Sequence, residues 1–286
     1  MGFRVATWNI NSIRSRVDRI VALLERHDID VLLLQETKCP PGAFPFEAFF
    51  ERGYDVAHNG VNQWNGVAIV SRVGIDHDSV RMSFAGQPGF AKDPAAEQSL
   101  EPRAVFAQCG GVDCWSLYVP NGRSLKDRHF DYKIAWLKAF AEQVSSSGLT
   151  VVGGDFNVAP LDEDVWDIAY FSGSTHVSET ERAALDLFDD AGLVEVTRPL
   201  TGPGFTYWDY AQGRFAKNEG MRIDFQFASP DLASHARAAL IDVQERSAER
   251  TSDHAPVVVD YDLEPSREWM LAPEDCPQRE QEDCAS

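Results

Sequence analysis

Basic residues and cysteines are scarce in this chain, and both shortages restrict what it can be. Only 26 Lys and Arg stand against 45 Asp and Glu, so the net charge is −19, and the overall field repels nucleic acids and anionic membranes. The five cysteines are odd in number and include no Cys-x-x-Cys pair, which argues against a disulfide framework or a cysteine zinc site. We therefore expect a reducing compartment, the cytoplasm, and any polyanionic partner would have to be bound locally.

Long apolar runs and nucleotide-binding motifs are also missing. No stretch of about 18 apolar residues occurs, as a membrane-spanning helix would need, and the first residues lack the roughly 7 to 15 apolar residues of a secretory signal. Neither G-x-x-x-x-G-K-[ST] nor G-x-G-x-x-G is present, so nucleotide-driven and dinucleotide chemistry lack support. The chain has 44% hydrophobic and 25% charged residues, which is typical of a globular protein with a sizeable core.

Hydrophobic periodicity predicts an α/β protein. Residues 3–8 alternate like a strand, the apolar residues in 13–24 recur at helical spacing, and residues 30–34 form a continuous apolar run typical of a buried strand. This order of strand, helix and strand predicts a βαβ unit with helices covering the sheet. The order returns later, where a predicted helix over 131–144 precedes a strand over 150–155 that ends on a carboxylate.

The remaining predicted elements are short and mostly strands, separated by glycine and proline. Residues 86–99 show almost no periodicity and are expected to form an exposed loop. A helix is predicted over 180–191, and strands are predicted at 54–58, 67–70, 80–84, 104–108, 115–119, 204–208, 221–228, 239–243 and 256–261.

The end of the chain differs in composition from the rest. Residues 264–286 contain seven acids and two arginines, a net charge of −5, with little apolar content. We therefore expect one catalytic domain over 1–263, followed by an acidic, mobile tail over 264–286. The alternative is that Trp269, Met270 and Leu271 dock on the body of the protein.

Polar side chains recur where the predicted strands end. Repeated carboxylates and amides at strand ends are how open α/β sheets build an active-site edge. Each alone is explained as well by a turn or a helix cap, but Glu36 is harder to dismiss because a carboxylate ending an apolar strand must be solvated or paired with a cation. The set comprises Asn9, Asn11, Gln35, Glu36, Tyr118, Asn121, Asp155, Asn157, Asp224, Asp253 and His254.

The residue types in this set favour metal-assisted phosphodiester hydrolysis. Carboxylate and amide oxygens without a cage of Cys or His suit a hard cation such as Mg²⁺ or Mn²⁺. A single His beside an Asp suits orienting a phosphate or moving a proton, and His254 in SDHAPV has such a neighbour. Surface or packing roles are expected for the other histidines, which are His27, His58, His77, His129, His176 and His235.

Eight segments along the chain match motifs of one known family in order. They are WNINSIRSR (8–16), LLLQETKC (32–39), NGVAIVSR (65–72), YVPNG (118–122), GGDFNVAP (153–160), FTYWDY (205–210), NEGMRIDFQFAS (218–229) and SDHAPVV (252–258). They resemble the exonuclease III type of abasic-site endonuclease, within the DNase I-like superfamily of endonucleases, exonucleases and phosphatases. The resemblance implies a DNase I-like, two-sheet α/β sandwich flanked by helices. It also implies a Mg²⁺-dependent nuclease, with Mn²⁺ as an alternative, that cuts 5′ to abasic sites and trims 3′ ends.

The same resemblance implies a metal centre and the groups that act on water. Glu36 in QET matches the principal metal ligand, with Asn9 beside it and Asp253 as a second carboxylate. Asp155 and Asn157 in GDFN are placed at the metal as well. Asp155 would activate the attacking water or protonate the leaving oxygen, and Asn157 would orient that water and stabilise the transition state.

Phosphate and sugar contacts follow from the other matched segments. Tyr118 and Asn121 of YVPNG would contact the scissile phosphate, and His254 would bind it while Asp224 holds the imidazole. FTYWDY resembles the family loop that packs on the sugar of an extruded abasic nucleotide, which makes Tyr207 and Trp208 candidates for substrate binding. The tryptophan common at the third place of that run is Tyr207 here. The alternative is that both aromatic residues belong to the core.

The expected partner is double-stranded DNA with abasic sites or 3′ ends, bound by a monomer without a membrane. One rival is a phosphoesterase of the same fold acting on RNA, lipid or inositol phosphates, against which YVPNG argues. The other is a non-enzymatic DNA-binding or scaffold protein, against which the intact catalytic positions argue. A local basic rim could offset the acidic charge, formed by Arg14, Arg16, Arg19, Arg123, Lys126, Arg128, Arg214, Lys217 and Arg222.

Overall fold

Two six-stranded sheets stack face to face in the computed structural model, which describes residues 2–271. The strands are β1 (Phe3–Asn9), β2 (Val31–Gln35), β3 (Asp55–Asn59), β4 (Val67–Ser71), β5 (Asp76–Arg81), β6 (Ala104–Cys109), β7 (Val112–Tyr118), β8 (Thr150–Asp155), β9 (Val194–Glu195), β10 (Asp224–Ala228), β11 (Ala236–Ile241) and β12 (Val257–Tyr261). The helices are α1 (Val17–His27), α2 (Phe46–Phe50), α3 (Arg128–Gln143), α4 (Glu179–Asp190), α5 (Thr197–Thr201), α6 (Arg214–Lys217), α7 (Pro230–Ala233) and α8 (Val243–Arg246).

The topology confirms the predicted two-sheet α/β sandwich. The first sheet has the order β11-β12-β1-β2-β4-β3 and the second has the order β5-β6-β7-β8-β10-β9. β1 and β2 are parallel and joined by α1, and β7 and β8 are parallel and joined by α3. Each sheet therefore has one βαβ unit at its centre, which brings the carboxyl ends of two strands to the same edge.

Three apolar layers hold the sandwich together. Side chains such as Val5, Leu33 and Val151 fill the space between the sheets. Trp136 of α3 and Phe188 of α4 cover the outer face of the second sheet, and α1 covers the outer face of the first. Both faces of the central strands are buried, which allows apolar residues at successive positions, as in the sequence VLLLQ of β2.

Buried amide side chains also connect the two sheets. Gln35 donates from Nε2 to Thr7 Oγ1 at 3.1 Å and to Ser116 Oγ, in the opposite sheet, at 3.0 Å. Gln226 of the second sheet donates to the Val5 carbonyl at 2.9 Å. Gln35 therefore lies between the sheets rather than in the group of polar residues at the sheet edge, because its place in the β2 alternation points it inward.

Some predicted elements differ from the structure. The strand predicted at 80–84 lies at Asp76–Arg81, because the chain after it bends away to begin the long loop over 86–99. The strand predicted at 204–208 is absent, and Tyr207 instead forms isolated bridges to Met221 and His254. The segment FTYWDY is therefore a loop whose backbone is tied to two segments of the predicted active site.

The beginning of the predicted tail lies against the body. Pro265 is buried, the Ser266 amide donates to the Gly110 carbonyl at 2.8 Å, and Trp269 bridges to Gly74. For residues 265–269, these contacts agree with the alternative that the segment docks on the body of the protein. The mobility predicted for the rest of the tail concerns residues 272–286, which lie outside the described residues. No helix within residues 2–271 is both long and apolar enough to cross a lipid bilayer.

Two adjacent glycines test how closely β8 packs, Gly154 against the neighbouring strand β7 of its own sheet and Gly153 against the opposite sheet. A Cβ on Gly154 would lie 2.1 Å from the Leu117 carbonyl oxygen, whereas one on Gly153 would meet the movable end of the Leu33 side chain at 2.6 Å. We predict that Gly154→Ala lowers the free energy of unfolding by about 2 to 3 kcal/mol, since backbone cannot yield, and Gly153→Ala by about 1 kcal/mol. Urea denaturation of both variants measures this, and equal losses would contradict it.

Candidate active site

Four acidic side chains meet at one edge of the sandwich because of how the strands run. β2 and β8 end there with Glu36 and Asp155, while the antiparallel strands β10 and β12 begin there. Asp224 opens β10 directly opposite Asp155 in the register, and Asp253 lies shortly before β12. Residues far apart in sequence therefore converge, as the pattern of polar strand ends predicts.

Asn9 joins two of these acids at the end of β1. Its amide nitrogen donates to Glu36 Oε1 at 2.8 Å and to Asp155 Oδ2 at 2.9 Å. Its amide oxygen accepts from the Asn11 backbone at 3.0 Å, which fixes the orientation of the amide. Asn9 thus serves as a donor that bridges two carboxylates. A metal contact through its side-chain oxygen, as predicted, would require the amide to rotate by about 180°.

Glu36 is held as an anion next to a lysine. Lys38 Nζ lies 2.6 Å from Glu36 Oε2 and also donates to Asn11 Oδ1, while Asn11 Nδ2 donates to Asp253 Oδ1 at 3.1 Å. Burial alone would raise the pKa of Glu36, but the Lys38 charge and the Asn9 hydrogen bond hold it below its usual value. Glu36 and Asp253 are thereby linked through Asn11 and Lys38.

The loops that carry these groups have strained backbones. Asn11, Glu36, Lys38 and Asn157 have φ values between 46° and 54°, a region that residues with side chains rarely adopt. Such strain persists where surrounding contacts impose it, and it clusters at functional sites. The backbone hydrogen bond from Ser12 to the Glu36 carbonyl at 2.7 Å is one such contact.

His254 lies between two of the acids. Its Nδ1 is 2.9 Å from Asp224 Oδ2, and its Nε2 is 3.8 Å from Asp155 Oδ2. Burial alone would lower the pKa of His254, but the two carboxylates raise it to about 10. The imidazole is therefore protonated at neutral pH, with Nδ1–H donating to Asp224, and Nε2–H is left to act on a further acceptor.

Asp155 is the most perturbed carboxyl of the group. Burial raises its pKa to about 7, with Asp224 and Glu36 adding to the effect and His254 and Asn9 opposing it. Its Oδ1 accepts from the Asn157 backbone at 2.9 Å and its Oδ2 accepts from Asn9. Both oxygens are thus fixed in place at the centre of the site.

The donor set fits a hard divalent cation on the Glu36 and Asp253 side. Carboxylate oxygens joined by amides, with no thiol nearby, are the ligands such ions prefer. One atom each of Asp155, Asp224 and His254 also lie within 4.8 Å of one another. Binding of a metal among those three would require His254 to lose the proton that its neighbouring carboxylates stabilise, because a ligating histidine must be neutral.

Tyr118, Asn121 and Asn157 add a phenol and two amides to the site, and the Tyr118 hydroxyl hydrogen-bonds to Glu36. Burial, together with Glu36 and Asp155, raises the pKa of Tyr118, so its hydroxyl remains a donor. Asn121 Nδ2 lies 3.2 Å from Asn157 Oδ1, and Asn157 Nδ2 donates to the Val119 carbonyl at 3.0 Å. Because Asn157 Oδ1 is engaged in this way, Asn157 is better placed to donate hydrogen bonds than to ligate a metal.

The two aromatic candidates occupy different places. The Tyr207 ring lies 4.8 Å from the His254 ring, and it also lines a small open cavity of about 150 Å³ together with Trp166, Tyr170 and Arg214. Trp208 is buried, its indole donates to Asn218 Oδ1 at 3.1 Å, and its backbone amide donates to the Asp253 carbonyl. Tyr207 therefore faces the site, whereas the surroundings of Trp208 favour the core alternative.

The basic rim is only partly present. Arg14, Arg123, Lys126, Arg128 and Lys217 are exposed. Arg19 is paired with Glu245 at 2.7 Å, and Arg214 with Glu219 at 2.9 Å. The prediction is wrong for Arg222, which is buried and donates to the Gly202 carbonyl at 2.8 Å.

Sequence reasoning missed three buried residues that support the site. His176, assigned to packing or the surface, lies 3.1 Å from Asn157 Oδ1. Lys133 donates to the Asn157 carbonyl at 2.6 Å and forms a fully buried pair with Glu181. Two signals were available: Lys133 falls within the apolar stripe of α3, between Phe130 and Leu137, and Glu181 ends a Ser-x-x-Glu capping box.

Comparisons with known proteins place this geometry among nucleases. The profile of the Endonuclease/Exonuclease/phosphatase family matches residues 6–254. Exodeoxyribonuclease III of Haemophilus influenzae is 28% identical over 276 residues, covering 89% of this chain and 98% of that protein. The solved structures of an AP endonuclease from Archaeoglobus fulgidus (30% identity) and a 3′-5′ exonuclease from Neisseria meningitidis (32% identity) each have a TM-score of 0.83, covering 91% of this chain and 100% of theirs.

The buried pair of Asp224 and His254 should be strongly coupled. We predict that Asp224→Asn and His254→Ala each destabilise the protein, and that the double variant loses at least about 1 kcal/mol less than the sum, because each single change strands a buried partner. Urea denaturation of the four proteins gives the coupling energy. Asp224→Asn combined with Tyr54→Phe is the control pair, and its two losses in free energy of unfolding should be additive because the residues are far apart. Additive losses for Asp224→Asn and His254→Ala would mean that these two residues do not interact.

Proposed function

Since the chain belongs to the endonuclease/exonuclease/phosphatase family, we propose that it is a metal-dependent DNA repair nuclease that cuts the phosphodiester 5′ to abasic sites and trims 3′ ends. The names of its relatives, an exodeoxyribonuclease III, an AP endonuclease and a 3′-5′ exonuclease, support a DNA substrate. We further propose that it acts as a monomer in the cytoplasm, where the buried free thiols of Cys39, Cys109 and Cys114 suit a reducing environment.

One observation carries the proposal: carboxylates, an imidazole and two side-chain amides lie close together at one edge of the sandwich. This combination suits a phosphodiester, which needs both positive charge on its non-bridging oxygens and a fixed acceptor for the proton of water. Neither a non-catalytic binding surface nor a purely structural role requires four acids to be held so close together.

Glu36 and Asp253 are the residues we expect to hold Mg²⁺ or Mn²⁺, with Asn9, Asp155 and Asn157 beside it. Bound there, the ion would neutralise charge on the phosphate and lower the pKa of a coordinated water. The remaining work falls to the protein. Tyr118 keeps its hydroxyl proton and can donate to a phosphate oxygen, and His254 can donate from Nε2 in the same way, because both are protonated at neutral pH.

Asp155 is the residue placed to handle the proton of the reaction. It lies between Asn9 and His254 with both oxygens fixed, so it can align a water for in-line attack and accept its proton, or return one to the leaving oxygen. Asn157 follows Asp155 by two residues, and its amide can donate to the oxygen that becomes negative in the transition state. Asp224 acts through His254, whose ring it orients.

Binding of a polyanion by a protein of net charge −19 needs local positive charge. Arg123, Lys126 and Arg128 are exposed on the chain directly after Asn121, so they can meet phosphates that flank the one being cut. The Tyr207 ring contacts His254 and lines the small cavity that Trp166 and Tyr170 also border, so the sugar of an abasic nucleotide could lie against Tyr207.

A cleavage assay tests this function. We predict that abasic duplex is cut on the 5′ side and recessed 3′ ends are shortened with Mg²⁺ or Mn²⁺, that EDTA abolishes both activities, and that intact RNA and inositol phosphates are poor substrates. Asp155→Asn should lower kcat by about 10²- to 10³-fold with duplex affinity nearly unchanged, because its oxygens act in the transition state. Faster turnover of RNA or inositol phosphates would favour the rival phosphoesterase, and binding without cleavage would favour a non-enzymatic protein.

A further inference from the structure

A buried histidine lies against two amides of the active site and is not used by the proposed reaction. His176 Nε2 is 3.1 Å from Asn157 Oδ1 and 3.2 Å from Asn121 Nδ2. We propose that His176 is a positioning residue, which donates from Nε2 to Asn157 Oδ1 and so fixes the Asn157 amide; Asn121 donates to the same oxygen, and both amides are thereby directed toward the scissile phosphate. This inference rests on the proposed nuclease function and adds to it a residue that sets the geometry of the phosphate contacts.

The orientation of the Asn157 amide is determined by its neighbours. Its nitrogen donates to the Val119 carbonyl at 3.0 Å, so its oxygen points to the other side, toward Asn121 and His176. That oxygen accepts from both only when the His176 proton is on Nε2, and the 3.2 Å approach of Nε2 to Asn121 Nδ2 is then a contact between two donors, not a hydrogen bond. With the proton on Nδ1, two lone pairs would face each other at 3.1 Å, and a buried acceptor without a donor is costly.

This arrangement leaves one hydrogen on each amide for the substrate. The Asn121 oxygen accepts from the Arg123 backbone at 3.1 Å, and one of its two amide hydrogens goes to Asn157. Asn157 uses one of its amide hydrogens for Val119. The second hydrogen of each amide is directed by these fixed bonds, so neither side chain has to reorient when negative charge develops.

A buried ion pair holds His176 in place. The His176 backbone amide donates to Glu181 Oε1 at 2.8 Å, and Glu181 pairs with Lys133. Lys133 Nζ also donates to the Asn157 carbonyl at 2.6 Å and to the Asn121 carbonyl at 3.3 Å. One ammonium group thus ties together the three loops that carry His176, Asn121 and Asn157.

The backbone of His176 supports a positioning role over simple packing. Its φ is +79°, which is unfavourable for a residue with a side chain. Its carbonyl accepts from Ala159 at 2.7 Å, and its amide is held by Glu181, so the strained conformation is imposed from both sides. An apolar residue would fill the same space, but it would not direct an N–H bond at Asn157.

Three replacements of His176 separate positioning from packing. His176→Leu removes the donor, His176→Gln places an amide N–H near the position of Nε2, and His176→Asn is polar but too short to reach Asn157. We expect His176→Leu and His176→Asn to lower kcat by about 10- to 100-fold while the Kd for abasic duplex changes by less than about threefold, because many phosphates contribute to binding. His176→Gln should retain kcat within about fivefold of wild type.

A double variant tests whether His176 acts through Asn157. In an Asn157→Ala background, we expect His176→Leu to change kcat by less than about twofold, because the group it positions is gone. Tyr54→Phe removes a buried hydrogen bond of 2.8 Å to the Ile29 carbonyl, at the far end of β2. As a control it should lower the melting temperature and leave kcat unchanged.

A merely structural His176 would give different results. Equal loss of activity in the Gln and Asn variants, or the same fold-loss from His176→Leu with and without Asn157, would overturn the proposal. Crystal structures of His176→Gln and His176→Asn give a readout independent of activity: the Asn157 amide should keep its orientation only in the Gln variant, and an unchanged amide in both would also overturn it. A wild-type protein that cleaves no DNA would instead refute the proposed function.

Discussion

Mutual repulsion among four buried or half-buried carboxylates is the constraint on which the site depends. Glu36, Asp155, Asp224 and Asp253 are brought together by strand topology, and like charges this close cannot all ionise without compensation. The structure compensates with Lys38 beside Glu36, a protonated His254 between two acids, and the Asn9 amide between two others. Among the ion pairs of residues 2–271 none involves the Asp253 carboxylate, which Asn11 links to Glu36, so we expect a divalent cation to be most stabilised on that side of the site.

Much of the fold and the identity of the acids could be predicted from the sequence. Asn9, Glu36 and Asp155 each follow or end a predicted strand, so hydrophobic periodicity indicates that they lie at strand ends. The loop nature of 204–208 could not be predicted from alternation, because tertiary contacts of Tyr207 with Met221 and His254 determine it. The orientation of an amide, such as that of Asn9, depends on neighbours from other strands and carries no local signal.

Buried polar support explains why such a site can be rigid without substrate. The pair of Lys133 and Glu181 has its charges fully out of water, an arrangement that is stable only when every donor and acceptor is used. Lys133 uses its hydrogens on backbone carbonyls of the Asn121 and Asn157 loops, and Glu181 holds the loop of His176. In the sequence, Lys133 is visible only as a lysine within the apolar face of a predicted helix, and Glu181 only as part of a helix cap. Their pairing could not be predicted, because the two residues are distant in the chain.

The central claim is that the acids at the sheet edge bind a divalent cation through Glu36. Calorimetric titration of Mn²⁺ into the wild-type protein, Glu36→Gln and the surface control Asp262→Asn tests it most directly, because it needs no substrate. We predict binding that Glu36→Gln weakens by at least about tenfold and that Asp262→Asn leaves unchanged, with similar melting temperatures for the metal-free proteins. Equal Mn²⁺ affinity in the wild-type protein and Glu36→Gln would contradict it.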